Sequence, residues 1–156
     1  MSRRNYRATS GSGDTIYRLD ADVVESATVL TNAIQFTPAP STQYLIELFL
    51  VWEADATTTG IQYQITDNTG GVTYGVSSLQ APTAATTQVA RYGPIGNPVQ
   101  GTGVGGANTR YPAGGWAVVQ TAASVSGTIA LQFRSEVSLS VVTLRAGSFL
   151  RVRVLA

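Results

Sequence analysis

The segment Gln43–Glu53, QYLIELFLVWE, constrains the fold more than any other part of the chain. Successive side chains of a β-strand point to opposite faces, so the alternation in this segment predicts one wholly apolar row and one mixed row. At about 3.3 Å per residue the strand would span roughly 36 Å, which is long for a globular protein. The apolar row consists of Tyr44, Ile46, Leu48, Leu50 and Trp52. We therefore predict that this segment is the central strand of a β-sheet core, and that its mixed row faces a shallower layer or a neighbouring subunit.

Shorter alternating segments before and after it predict an all-β domain. The predicted strands are Thr15–Leu19, Ile61–Thr66, Val72–Val76, Thr86–Arg91, Gly115–Thr121, Ser126–Glu136, Ser140–Arg145 and Ser148–Leu155. A strong turn signal, 67–71, follows the second of them, and we expect strands 43–53 and 60–67 to be successive antiparallel neighbours. About eight to ten short strands with no clear helix indicate an antiparallel β-sandwich or a jelly roll.

Residues 20–34 fit two local structures. Their apolar positions Val23, Ala27, Leu30 and Ile34 have helical spacing, and Asp22 resembles the start of a capping box. The same stretch is rich in valine, threonine and serine, which favours a strand. We favour the strand.

Two regions are expected to lie outside the regular core. Residues 1–14 form a basic arm that carries Arg3, Arg4, Tyr6 and Arg7, followed by a flexible Ser-Gly-Ser-Gly hinge. The arm is either a disordered tail or a segment that becomes ordered on a larger surface. Residues 15–156 form a single β-sandwich domain, and 77–115, which is rich in proline and glycine, is interpreted as a projecting loop excursion.

The composition excludes several kinds of chemistry. The chain has no cysteine, no histidine and no lysine, so it lacks thiolates, the usual zinc ligands, the commonest general base and Schiff-base lysines. Charged residues make up 12% of the chain and the net charge is +1, which gives no general attraction to nucleic acid or membrane. The first residues lack the apolar core of a signal peptide, and no apolar run is long enough to span a membrane, so we expect synthesis in the cytoplasm.

The candidate catalytic motifs have simpler explanations. Gly101, Gly103 and Gly106 match the letters of a dinucleotide-binding loop, but neither a preceding strand nor a following helix is predicted. Glu47 and Glu53 share a strand face about 20 Å apart, which is too far for a pair of glycosidase carboxylates. The remaining acidic groups, Asp20, Asp22 and Glu25 near the N-terminus and Glu53 with Asp55, are expected to be solvated turn or rim charges. We predict no enzyme activity, no cofactor and no metal.

The aromatic residues allow an alternative function. A row of exposed rings in a β protein could bind a sugar, although such residues are more often half-buried packing. The candidates for this platform are Tyr63, Tyr74, Tyr92, Tyr111 and Trp116. The alternative prediction from these residues is therefore a carbohydrate-binding β module.

Several segments, taken in order and spacing, resemble small β domains of tailed-bacteriophage virion proteins. They are Leu30–Phe36, Tyr44–Glu47, Ala56–Ile61, Ser126–Ile129, Leu131–Glu136 and Val142–Leu150. The resemblance implies a non-enzymatic structural domain, often trimeric, with a capsid decoration, head-fibre or tail-fibre role. The 77–115 segment has no counterpart in that pattern, and the short arm in place of a stalk favours a decoration (cement) protein on the capsid.

This resemblance also implies partners and sites. The partners are the major capsid protein or other virion proteins and further copies of the chain, and the location is the virion. Residues Arg3, Arg4, Tyr6 and Arg7 of the arm are expected to bind the capsid. The expected oligomer interface consists of Phe49, Val51, Arg134 and Glu136, the last two predicted as a surface or subunit ion pair.

Overall fold

The computed structural model describes residues 6–11, 13–83 and 87–155, and within these ranges the chain forms thirteen β-strands and no helix. The strands are β1 (Tyr6–Gly11), β2 (Asp14–Leu19), β3 (Val23–Glu25), β4 (Thr31–Phe36), β5 (Gln43–Ala54), β6 (Ile61–Asp67), β7 (Val72–Pro82), β8 (Gln88–Pro94), β9 (Val99–Gln100), β10 (Tyr111–Thr121), β11 (Ile129–Ser135), β12 (Val142–Leu144) and β13 (Phe149–Val154). They pair antiparallel in two sheets. The prediction of an all-β, antiparallel sandwich-type domain is confirmed.

Strand β5 lies in the middle of the larger sheet, as predicted. The order of that sheet is β1-β2-β13-β5-β10-β7-β8, and β12 adds to it by pairing with β3 and β5. The smaller sheet has the order β4-β11-β6-β9. The apolar row of β5 is buried, with no member more than 6% exposed, and it faces the buried side chains of β6 and β11 across the core. The alternation in the sequence therefore gave both the position and the orientation of this strand.

Strand β6 is not a neighbour of β5, contrary to the prediction. It pairs with β11 and β9 in the smaller sheet, and its apolar residues Ile61, Tyr63 and Ile65 approach the core from the opposite side. The turn after it was located correctly: the Asp67 carboxylate accepts hydrogen bonds from the backbone N–H groups of Thr69 and Val72. A turn of this kind does not by itself determine which sheet the next strand joins.

In its described residues, 77–83 and 87–115, the segment 77–115 does not project from the domain. Strand β7 continues to Pro82, and β8, β9 and the first residues of β10 also belong to the sheets. The loop 101–110 is bound to the sandwich by hydrogen bonds from Val104 N to Thr57 O (2.9 Å) and from Asn108 N to Ala54 O (2.7 Å). Small and polar residues at outward positions of these strands weaken the alternation, which explains why the sequence indicated a loop.

Residues 20–34 form two short strands in different sheets. The strand interpretation is confirmed for β3 and β4, but the residues between them belong to neither strand. The Glu25 carboxylate accepts hydrogen bonds from Ser26 N, Ala27 N and Thr31 Oγ1, so it stabilises this connection.

The part of the predicted arm that the structure describes is an edge strand. Residues 6–11 form β1, which pairs with β2 along its whole length up to the pair Gly11–Asp14, and Gly13 of the predicted hinge has φ +88°. Tyr6 packs edge-on against Tyr17 at a ring distance of 6.3 Å. Arg3 and Arg4 lie outside the described residues. If Tyr6 and Arg7 bind the capsid, they do so as part of an ordered β-hairpin.

The hairpin is attached to β13 by an ion pair that should respond to acid. Arg153 donates to both oxygens of Asp14 (2.8 and 3.2 Å), and these hydrogen bonds lower the pKa of Asp14. A lowered carboxyl pKa contributes stability above the pKa of the unfolded chain, about 3.9, and this contribution is lost as the pH falls through the folded-state value. We expect thermal unfolding scans at decreasing pH to show a smaller acid-induced fall in Tm for Asp14→Asn than for the wild type. An identical fall in both proteins would contradict the assignment.

Candidate binding face on the larger sheet

One face of the larger sheet points away from the smaller sheet and carries large exposed aromatic side chains. We call it the outer face, made by the outward-pointing residues of β1, β2, β13, β5, β10, β7 and β8. Four rings on it are about half exposed or more: Phe49 (49%), Trp116 (44%), Tyr74 (54%) and Tyr92 (69%). Large exposed apolar patches on the surface of a protein mark interaction sites.

The strand register shows how these rings are arranged. Trp116 lies opposite Ser78 on β7 and opposite Glu47 on β5, and Tyr92 lies on the other side of Ser78. Two strand spacings, about 10 Å, therefore separate Trp116 from Tyr92. Ser78, between the two rings, is itself buried, so the exposed surface here belongs to the rings on either side of it.

A shallow notch adjoins the Phe49 ring. Phe49 stacks on Phe149 of β13 (ring distance 5.7 Å), and its neighbour on the other side is Gly114 of β10. Because Gly114 has no side chain, a notch of about 230 Å³ opens between Phe49, Pro112 and Gln80. Phe49 thus presents one exposed edge to an open space on the outer face.

Ion pairs neutralise most of the charges on this face. Arg151 contacts Glu47 (2.5 Å), and Arg145 contacts both Glu53 (3.2 Å) and Asp22 (2.9 Å). These pairs hold the two glutamates that were examined as catalytic candidates. Asp55 is also engaged: the Ser140 hydroxyl donates to it (2.6 Å), and this hydrogen bond lowers the pKa of Asp55.

The predicted interface residues lie in two separate places. Phe49 and Val51 are on the outer face, although Val51 is half-buried and its backbone N–H donates to Ser148 Oγ (3.0 Å). Arg134 and Glu136 belong to the smaller sheet and the residue after it. Within one chain these two described residues do not pair with each other: Arg134 donates to Gln62 and to the carbonyl of Thr28, while Glu136 accepts from Gly60 N and Gln100 Nε2. A pair between subunits stays a prediction.

The predicted aromatic platform is only partly present. Tyr63 is fully buried, and Tyr111 is half-buried against Trp52, at a ring distance of 5.9 Å. Tyr74, Tyr92 and Trp116 are the members that share the outer face. Tyr63 and Tyr111 occupy inward-facing positions of their strands, and the aromatic character of a residue does not show which face of the strand it lies on.

Two arginines that the sequence did not connect lie side by side. Arg7 of β1 is the register partner of Arg18 of β2, and Phe149 is the partner of Arg18 on its other side. Arg7 was a predicted capsid-binding residue, whereas Arg18 and Phe149 were missed. The signal that could have found Arg18 was its outward position in the alternation of Thr15–Leu19, combined with a hairpin at the Ser-Gly hinge.

The described residues give no cluster of side chains typical of a metal centre. Within ranges 6–11, 13–83 and 87–155, no three acidic, histidine or cysteine side chains group together as metal ligands. Over the same ranges, no helix is long and apolar enough to cross a membrane. In the glycine-rich loop, Gly101 and Gly103 lie against the carbonyls of Pro82 and Thr57, so close packing explains them.

No protein-family model, curated protein or solved structure matches this chain.

Proposed function

We propose that this chain is a non-enzymatic structural protein of a bacteriophage virion, a capsid decoration protein that binds the shell as an oligomer. The observation that supports it best is the outer face, where Phe49, Trp116 and Tyr92 expose large ring surfaces. Burying such rings against neighbouring subunits would contribute about 25 cal/mol per Å² of apolar surface removed from water. The resemblance of the 30–66 and 126–154 segments to small phage virion domains supports the same role.

The oligomer is tested by changing the most central exposed ring. We expect the wild type to have a mass near three chains in light scattering behind a sizing column. Phe49→Asp should shift that mass to one chain, because a carboxylate would have to be buried at the contact without a partner. Leu139→Asp, at a residue 89% exposed and outside the outer face, is the matched control and should remain trimeric. A folded Phe49→Asp protein that stays trimeric would refute this interface.

Attachment to the shell is tested separately. Purified protein is added to phage particles assembled without the chain, and the mixture is sedimented. We expect the wild type to sediment with the particles and to remain in the supernatant without them. Protein that stays in the supernatant in both cases would contradict the decoration role, whatever its oligomeric state.

The exposed rings of Trp116 and Tyr92 on the outer face support one alternative, carbohydrate binding by a receptor-binding module. The two tryptophans make this easy to test, because Trp52 is completely buried and Trp116 is exposed. Under the decoration proposal we expect no saturable change in tryptophan fluorescence with bacterial glycans. A saturable change that Trp116→Phe removes would favour the sugar-binding function instead.

A further inference from the structure

Arg7 and Arg18 carry like charges at directly opposed positions of two paired strands. Such an arrangement is unfavourable unless an anion lies between or beside the charges. Asp20 is the acidic neighbour of Arg7, but the distance from its Oδ1 to Arg7 Nε is 3.7 Å, too long for a hydrogen bond. The structure shows no acidic partner for Arg18 among the described residues. Both guanidinium groups therefore retain donors that are free to bind a ligand.

The two arginines line a cleft of about 310 Å³. Its other walls are Thr9, Ile16 and Phe149. A water molecule occupies about 30 Å³ in the liquid, so the cleft is comparable with roughly ten of them. Guanidinium groups bind carboxylates through paired hydrogen bonds, and the apolar walls formed by Ile16 and the Phe149 ring suit an aliphatic stem. The cleft thus combines a site for an oxyanion with a site for a short apolar chain.

We propose that this cleft, the hairpin cleft, binds an acidic side chain of the protein to which the chain attaches. The inference rests on the proposed function for the identity of that partner and names the chemistry that the partner must supply. It also reassigns the capsid-binding role of the arm from a flexible segment to Arg7 and Arg18 on an ordered hairpin.

A second copy of this chain is a poor source of the carboxylate. All nine acidic residues of the sequence lie in the described ranges, and eight of them accept a hydrogen bond or form a close ion pair within their own chain. These eight are Asp14, Asp22, Glu25, Glu47, Glu53, Asp55, Asp67 and Glu136. The ninth, Asp20, lies beside Arg7 of its own cleft at 3.7 Å. A different protein is therefore the better source of the carboxylate.

The surroundings of the cleft favour a carboxylate over nucleic acid. Nucleic-acid sites usually combine several unpaired cations, whereas Arg151 and Arg153 beside this cleft are already paired. One acidic side chain fits this charge pattern better than a polyanion does.

The experiment is an NMR titration of the full ¹⁵N-labelled chain with a defined probe. The probe is the peptide acetyl-Gly-Leu-Glu-Gly-amide, and its glutamine analogue is the uncharged comparison. We expect the glutamate peptide to shift the backbone amide signals of Thr9, Ile16 and Phe149 in a saturable manner, with at least tenfold weaker binding of the glutamine peptide. Arg18→Gln should weaken binding of the glutamate peptide about tenfold, the loss typical of a charged hydrogen-bonded contact. Arg91→Gln, at an exposed arginine on β8 at the far edge of the sheet, should leave it unchanged.

Three results would overturn the proposal. The first is an absence of saturable shifts with the glutamate peptide up to about 10 mM, which is weaker than any useful contact. The second is equal binding of the glutamine peptide or of the Arg18→Gln variant. The third is tenfold tighter binding of an oligothymidylate at the same residues, which would assign the cleft to nucleic acid.

The particle sedimentation described above separates this inference from the proposed function. If the wild type and Arg18→Gln bind particles equally, the decoration role stands and the hairpin cleft is not the contact. If the peptide binds but the protein does not sediment with particles, the cleft binds carboxylates and the decoration role fails.

Discussion

Replacing Gly115 with alanine is expected to lower the free energy of unfolding by about 3–5 kcal/mol. Gly115 of β10 has φ +147°, and an added Cβ would lie 2.0 Å from the carbonyl oxygen of Ser78 and 2.9 Å from Leu79 Cα. The atoms in the way belong to the backbone of β7, which β10 and β8 hold from both sides, so they cannot move aside cheaply. The loss would be measured by urea unfolding, followed by tryptophan fluorescence, and it is large beside a typical total stability of about 5–15 kcal/mol.

Gly147→Ala is the matched control for this prediction. Gly147 also has a left-handed backbone, with φ +94°, but no atom lies within 4 Å of an added Cβ. Its substitution should therefore cost only the conformational strain, on the order of 1 kcal/mol. Equal losses for the two variants would show that strain alone, and not the close approach of β10 to β7, makes Gly115 necessary.

Local alternation predicted the parts of the fold that depend on one strand at a time. The inward row of β5, including Ile46 and Trp52, was assigned correctly because a buried face and a period of two residues are visible in the sequence itself. The strands near the C-terminus, β11 and β13, were found for the same reason, and so was the turn at Gly147.

Contacts between distant segments were not predictable in this way. The placement of β6 depends on pairing with β11, which lies more than sixty residues later in the chain. The approach of Arg7 to Arg18 depends on a hairpin at a Ser-Gly sequence, whose composition equally suits a flexible hinge. The candidate site could not be predicted for the same reason, because its side chains come from seven strands that meet only in the folded sheet.

Tyr63→Phe is expected to lower the free energy of unfolding by about 2 kcal/mol, although it removes a single oxygen atom. Tyr63 extends from the smaller sheet through the core, and its hydroxyl lies 2.5 Å from the carbonyl oxygen of Gln80 and 2.7 Å from that of Gly114. The same hydroxyl accepts the backbone N–H of Gln80 at 3.2 Å. Burial raises the pKa of Tyr63 well above its ordinary value, so the hydroxyl stays protonated and can act as a donor at any working pH.

Tyr111→Phe is the comparison that isolates this effect. The Tyr111 hydroxyl belongs to a half-buried residue and makes one long hydrogen bond, 3.4 Å, to Gly106 O, so its loss should cost well under 1 kcal/mol. Urea unfolding of both variants gives the difference, and hydrogen exchange at the Gln80 amide should be faster in Tyr63→Phe alone. Equal stability losses in the two variants would contradict a special role for Tyr63.

The Tyr63 hydroxyl also links the core to the binding face. Gln80 and Gly114, the residues whose backbone it holds, border the notch beside Phe49 on the other side of the sheet. Gly115, next to Gly114, is the residue that lets β10 approach β7 at this point. Both substitutions therefore affect the same contact between β10 and β7. We therefore expect the loss in the double variant Tyr63→Phe/Gly115→Ala to be smaller than the sum of the single losses, because the clash already displaces the carbonyls that Tyr63 binds. A strictly additive loss would mean that the close approach of β10 to β7 and the Tyr63 contact stabilise the outer face independently.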